Sequence, residues 1–425
     1  MLKDIIGIIG TRYFVALLNL LLIFVNSKVL GLNGMGLIGV LYASANIAVV
    51  FNSILCGNTI VYFMNRYRLR FVFYPAYIWS FIGASIACGA MFALGMLPAG
   101  YEFTVFALAI LMSLVSANSQ VLLGKDMMRG FNLVFMLLGV LTFVLLMGIY
   151  YLAGVRTVEG YLAGVFIAYI AAYVCSFILL LPHLMKREAD VSGVSFVAVL
   201  REMFVYGVWS GADNMAEGLT TRLNYFFVQS AGGYGNTGLF DAGTKVSESV
   251  WHVSNSISHV EHKSISKTTD REQQKLITLR LFKLTYCVLI AVMAVIVCVP
   301  EWVYTEYLFT AEFAGMRRVI TGMSVGIVAL GSNRILSHHF IGSGSIRYST
   351  FSSVFGLVVL LVAGVLIIPV HGVFGAAVVS SIAYTAMLVY SVIAFMKQTS
   401  ASLRELFPSK KDVAELRRII LSAVR

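Results

Sequence analysis

The sequence predicts an all-α polytopic membrane protein of twelve transmembrane helices, arranged as two six-helix bundles related by a pseudo-twofold axis. Three observations predict it. Hydrophobic residues make up 59% of the 425 positions and charged residues 12%, a balance that would leave a soluble domain covered in apolar patches. The basic residues cluster in alternate loops, and two segments of the first half recur in the second.

A helix needs ~20 largely apolar residues to cross ~30 Å of hydrocarbon. Stretches of that kind run over 4–30, 37–64, 71–97, 103–123, 131–152, 158–181, 204–230, 238–258, 276–299, 314–340, 349–370 and 373–395, numbered here as spans one to twelve. Arg12 and Asn19 interrupt the first, which is too long for a signal-peptide h-region and reads as a retained span. Between spans and at their inner ends, one face collects Lys3, Arg66, Arg68, Arg70, Lys125, Arg129, Lys186, Arg187, Arg201, the six basic residues from Lys263 to Lys283, Arg347 and the tail from Lys397. That places 23 of the 31 basic residues on one side, with Arg156 and, at the outer end of span ten, Arg317 and Arg318 opposite, and the other five further inside spans. The positive-inside rule makes the basic face, and both termini, cytoplasmic. Position thus accounts for the net charge of +11, and nucleic acid is not an expected partner. Cys56, Cys88, Cys175, Cys287 and Cys298 all fall in spans without metal-ligand spacing and read as packing residues.

The segment 186–201, polar at its centre, divides the chain into an N-terminal lobe (1–185) and a C-terminal lobe (202–398), followed by a basic cytoplasmic tail (399–425). Gly36, Gly39 and Ala43 recur as Gly235, Gly238 and Ala242, an offset of 199. Val158, Gly160, Ile167, Ala168, Tyr169, Ala171, Val174 and Ser176 recur as Val373, Gly375, Ile382, Ala383, Tyr384, Ala386, Val389 and Ser391, an offset of 215. Six spans per repeat is an even number, so the halves share one orientation about an axis along the membrane normal.

With Ser27 to Gly31 followed by Gly36, Gly39 and Tyr42, the counterpart 232–242, the terminal 375–384 segment and the six-plus-six plan, the chain resembles the multidrug/oligosaccharidyl-lipid/polysaccharide (MOP) exporter superfamily. Within it, the likeness is to the Wzx-type flippases of O-antigen and capsule assembly. The resemblance implies a MATE-like V of two lobes in the bacterial cytoplasmic (inner) membrane. It also implies alternating-access flipping of undecaprenyl-pyrophosphate-linked oligosaccharide from the inner to the outer leaflet, beside other polysaccharide-assembly proteins and membrane lipids.

Charges inside the bilayer cost several kcal/mol and should face a wet cavity or a partner. The first half carries Arg12 and, near its outer edge, Lys28. The second carries Asp213, Glu217 and Arg222 in span seven, Asp241, Lys245, Glu248 and His252 in span eight, and Arg334, His338 and His339 in span ten. Asp241, Lys245, Glu248, His252 and Ser256 step by three or four and fall along one helical face, as do Asp213, Glu217, Thr220 and Asn224. Arg12, Arg222, Lys245 and Arg334 are the candidates to bind pyrophosphate or sugar, because arginine presents forked donors and keeps its charge in a low dielectric. Asp213, Glu217, Asp241, Glu248, His252 and His338 are the candidates for sugar binding or for coupling to H⁺ or Na⁺. Interhelical pairs such as Asp241 with Lys245 or Glu217 with Arg222 are the structural alternative. His338 and His339 are adjacent and cannot both face a cavity. Trp209, Tyr225 and Trp251 are placed to stack on sugar if they line it.

There is no P-loop, HExxH or G-x-S-x-G motif, so the expectation is a secondary transporter and not an enzyme, with no cofactor. Multidrug or cation antiport on the same fold predicts a carboxylate in span one, where this chain has Arg12 and only Asp4 at the inner edge. A membrane enzyme of glycan assembly predicts a long catalytic outer loop, and it gives the internal repeat no reason to exist.

Overall fold

The computed structural model describes residues 2–64, 66–186, 195–252, 254, 255, 257, 258, 265 and 270–407, with side chains from Tyr13 onward except those of Asn58 and Ser210. Its long helices are α1 (Leu2–Cys56), α3 (Leu69–Ala93), α4 (Glu102–Gly124), α5 (Met128–Met147), α6 (Val158–Met185), α7 (Phe196–Glu248), α8 (Arg271–Cys298), α9 (Met316–Gly342) and α10 (Arg347–Thr399). Short helices α2 (Asn58–Met64) and α11 (Leu403–Leu406) extend the second span and the tail. A π-helical turn, Gly148–Leu152, continues α5, and another, Val303–Leu308, follows α8.

Three helices are far longer than a membrane is thick. At ~1.5 Å per residue the 55 residues of α1 would reach ~80 Å, against ~30 Å of hydrocarbon. Each is broken at one glycine: Gly31 (φ 66°, ψ −173°) in α1, Gly233 (φ 69°, ψ −171°) in α7 and Gly372 (φ 55°, ψ −135°) in α10. A side chain is all but excluded from this backbone region. Counting the two limbs of each broken helix separately, the described residues form twelve helical limbs.

The expected loops at 31–36 and 231–237 are therefore absent, because a single positive-φ residue replaces a turn and hydropathy is blind to it. The matched breaks also reset the repeat: Gly31 corresponds to Gly233, an offset of 202, three residues from the offset read in the sequence. Gly31→Ala and Gly233→Ala are each expected to cost ~1–3 kcal/mol from backbone strain. Gly31 should be the worse, because its Cβ would lie 3.2 Å from Glu312 Oε2 whereas that of Gly233 meets nothing within 4 Å. Thermal unfolding of the purified variants in detergent measures this, and unchanged midpoints would contradict it.

By contact density the chain divides into two compact units, residues 1–242 with 308–313, and residues 243–307 with 314–425. In the first unit, one core gathers Leu55, Ile60, Phe73, Val121, Leu180 and Met203, and a second gathers Ile38, Leu41, Ala84, Leu108 and Val165. Buried amides tie its helices: Asn52 donates to Ser113 Oγ (2.7 Å) and Asn118 to Ser176 Oγ (2.8 Å), as suits an environment where lipid offers polar groups no partner. In the second unit Leu279, Phe282, Ile335, Phe340, Phe395 and Leu406 form a core. Most of the expected linker, 187–194, and of the tail, 408–425, lies outside the described residues.

The described tail docks on that second core through a capping box. Ser402 N–H and Oγ each donate to Glu405 Oε1 at 3.0 Å, and Lys275 Nζ lies 3.2 Å from Glu405 Oε2. These hydrogen bonds, that to the Ser402 backbone foremost, hold the Glu405 carboxyl below its usual range. A lowered folded pKa contributes stability that is complete above the unfolded value of ~4.3 and is lost as the pH falls through the folded one. Acid is thus expected to release residues 402–406 first, read as faster amide exchange there. Glu405→Gln should remove the dependence.

Candidate functional site

Glycines set the framework in the first unit. On α7, Gly207, Gly211 and Gly218 share one face, and a Cβ there would strike span two: 1.9 Å from Ile54 O, 3.0 Å from Ile54 Cγ1 and 2.9 Å from Val50 Cγ1. Further along, spans two and eight cross at a repeat-related pair. A Cβ on Gly36 would sit 1.8 Å from Tyr234 O, and one on Gly238 2.0 Å from Leu32 O. Such approach is the small-residue packing by which membrane helices associate.

The next turn beyond the crossing carries Asp241 opposite Gly39, its repeat equivalent, whose Cβ would lie 3.1 Å from Asp241 Cγ. Asp241 is 1% exposed and accepts a hydrogen bond from Tyr225 Oη at 3.1 Å. The Tyr225 ring packs edge-on against Phe240 (5.2 Å) and has the Arg222 guanidinium 5.9 Å from its centroid. Arg222, Tyr225 and Asp241 thus form one connected group, joined across the Gly233 break. The polar face of span seven is interior: Asp213 (8% exposed), Thr220 and Asn224 are buried and Glu217 half-buried.

In the second unit the regular helix of span eight ends at Glu248. Lys245 and Glu248 are half-buried, His252 is exposed, and Ser256 lies outside the described residues. The polar stripe expected from 241 to 256 is therefore not continuous among the described residues: regular helix gives way to a turn at 249–250 and His252 is exposed. Beyond the turn stand Trp251 and Asn255. The Arg334 guanidinium stacks 4.4 Å from the Trp251 ring centroid, and its Nη1 donates to Asn255 Oδ1 at 2.8 Å. Trp251 is fixed in turn: its Nε1 donates to Ile327 O (2.9 Å), its ring packs on Tyr384, and Gly331 clears space for it, since a Cβ there would lie 3.2 Å from Trp251 Cδ1.

The two histidines part as their adjacency requires. His339 is buried with Nδ1 2.7 Å from Thr278 Oγ1, while His338 is half-buried. Arg12 lies in α1, but its side chain falls outside the described residues. The structure thus assembles the predicted residues into two groups, Arg222 with Asp241 and Arg334 with its aromatic support. Asn255 does not stand out in the sequence, because the 248–252–256 spacing passes one position from Trp251 and Asn255.

No family model and no curated protein matches the chain. Solved structures do. An inward-facing multidrug resistance MATE family transporter of the MOP superfamily is similar over 92% of this chain and 98% of its own, at 15% identity and TM-score 0.71. The lipid II flippase MurJ, in an inward closed conformation, is similar over 98% and 93%, at 13% and 0.68. A MOP superfamily transporter from Pyrococcus furiosus, described as having a binding pocket of reversed polarity that suggests a different function, is similar over 94% and 96%, at 17% and 0.56. Twelve helical limbs, with two of the three breaks at repeat-matched glycines, and similarity over more than nine-tenths of the chain to these structures give this chain the fold of the MOP exporter superfamily.

Proposed function

We propose that this protein is a flippase that moves polyprenyl-pyrophosphate-linked oligosaccharide across the bacterial inner membrane by alternating access of a 1–185 lobe and a 202–398 lobe, with both termini in the cytoplasm. The observation that carries the proposal is Arg334, held within a membrane-spanning helix by stacking on Trp251. With the ring beneath its central carbon, the guanidinium keeps its forked N–H donors at its rim, the group that pairs with phosphate oxygens. Among the solved structures with this fold, one is a lipid II flippase, a precedent for carrying a lipid-linked glycan. The O-antigen or capsule unit of the Wzx type is the proposed cargo.

Arg222 and Lys245 serve as further anion contacts in this reading. Asp213, Glu217, Asp241, Glu248, His252 and His338 are sugar or ion contacts, with H⁺ or Na⁺ as the coupling ion. Asp241 is the acid placed best for coupling, since it is enclosed at 1% exposure and its carboxylate is engaged by the Tyr225 hydroxyl. Asp241→Asn is expected to leave the fold intact and to abolish gradient dependence. Gradient-dependent flipping by the variant would remove Asp241 from the coupling.

The deciding experiment reconstitutes the protein in vesicles with a fluorescent polyprenyl-pyrophosphate oligosaccharide and measures its protection from a membrane-impermeant quencher. Flipping supports the proposal. Absent flipping together with proton-driven efflux of cationic drugs would establish antiport, the reading favoured by the similar MATE structures and the buried Asp213.

A further inference from the structure

One cation cluster lies outside both groups. Tyr62 on α2 and Tyr206 on α7 stack ring on ring, centroids 4.3 Å apart and planes at 11°. The Arg66 guanidinium lies 4.0 Å from the Tyr62 centroid. The stack is braced from one side: Phe63 meets Tyr206 edge-on at 5.6 Å and stacks on Tyr67, whose hydroxyl donates to Glu202 Oε2 at 2.7 Å. Arg66 is exposed. Its neighbour Arg70 is used differently, donating from Nε and Nη2 to the Leu184 carbonyl at 3.1 and 2.9 Å. A guanidinium held over a ring by its central carbon keeps N–H donors at its rim, where an anion can meet them.

Position gives the cluster its meaning. Tyr206, Asp213, Glu217, Thr220 and Asn224 are spaced by seven, four, three and four residues and so occupy one face of α7. The aromatic pair therefore stands ~10 Å, seven residues of helical rise, before the buried acidic stripe begins. On the adjoining surface of α7, Val205, Val208 and Trp209 are 58%, 41% and 54% exposed, an apolar flank suited to hydrocarbon. Three recognition chemistries thus meet at the basic-loop end of span seven: a guanidinium for phosphate, the exposed edge of Tyr62 for a sugar, and an apolar wall for an isoprenoid chain.

We infer that the Arg66–Tyr62–Tyr206 stack is a loading site for the phosphate headgroup of a glycosylated polyprenyl lipid, at the entrance to the span-seven stripe. The lipid's identity rests on the function proposed above, whereas phosphate recognition rests on the stack itself. Occupancy would hold the phosphate on Arg66 with the first sugar at the exposed edge of Tyr62.

Equilibrium binding of a fluorescent polyprenyl-pyrophosphate disaccharide to the full chain in zwitterionic nanodiscs tests this. Arg66→Ala and Tyr62→Ala are each expected to weaken binding about tenfold, the size of one charge-assisted hydrogen bond, and Arg66→Lys to recover part of it. Arg70→Ala should bind as wild type. Competition should be strong with the unlabelled lipid and weak with inorganic pyrophosphate, because the free anion lacks the tail and sugar contacts. Equal affinity of Arg66→Ala and wild type overturns the inference alone. Weakening by Arg66→Ala that is matched by Arg70→Ala, or reproduced with anionic phospholipid as the probe, reduces the cluster to surface charge and also overturns it. A wild-type protein that binds no polyprenyl pyrophosphate overturns both the inference and the proposed function.

Discussion

Gly36→Ala and Gly238→Ala are each expected to destabilise the protein by at least the ~3 kcal/mol upper end of ordinary overpacking. An added methyl would lie 1.8 Å from Tyr234 O in the first case and 2.0 Å from Leu32 O in the second. Both obstacles are backbone carbonyls, so no rotamer change relieves them and the two helices must separate. Separation also pulls Asp241 away from Gly39 and disturbs its bond to Tyr225. Because either methyl forces the same separation, the double variant should cost less than the sum of the singles, the non-additivity expected of residues sharing one contact. Thermal unfolding monitored by size exclusion in detergent reads the effect. Wild-type stability in either single variant would mean the crossing is wider than described. Gly39→Ala, whose Cβ meets the Asp241 side chain at 3.1 Å, should be milder.

Arg334→Ala is expected to reduce lipid-linked oligosaccharide flipping by ten- to a hundredfold or more while leaving membrane levels near normal. One to two lost charge-assisted hydrogen bonds to phosphate, at ~1.5–3 kcal/mol each, account for that range. Arg334→Lys should recover only part of the activity, since an ammonium neither stacks on Trp251 as a plane nor presents a fork. Trp251→Phe should give an intermediate loss. It keeps a ring beneath the guanidinium but surrenders the bond to Ile327 O that orients it. Flipping rates per molecule in proteoliposomes, normalised to folded protein, make the measurement. Full activity in Arg334→Ala would remove this residue from substrate recognition.

The residues that read clearly in the sequence are those whose effect is local or periodic. Apolar runs of ~20 residues, the alternation of basic loops and the repeat at 158 and 373 depend only on neighbours along the chain. They were sufficient for twelve spans and the superfamily fold. The polar positions of spans seven, eight and ten could likewise be named, because a charge in an apolar run is conspicuous.

Which of those charges meet was not legible, since that depends on helix register and crossing distance. Gly31 and Gly233 take conformations that glycine permits but does not announce, so the repeat was read three residues out of place. His252, expected on the polar stripe, is exposed, whereas Trp251 and Asn255 lie against Arg334. Asp241 looked like one member of a polar stripe, but a glycine on another helix, 202 residues earlier in the chain, leaves the space in which it is enclosed. Hydropathy and charge by themselves determined that this chain lives in the membrane and how often it crosses. Only tertiary structure decided which buried charges became partners, because partnership is set by backbone approach within an ångström, and that distance is a property of two helices rather than of either sequence.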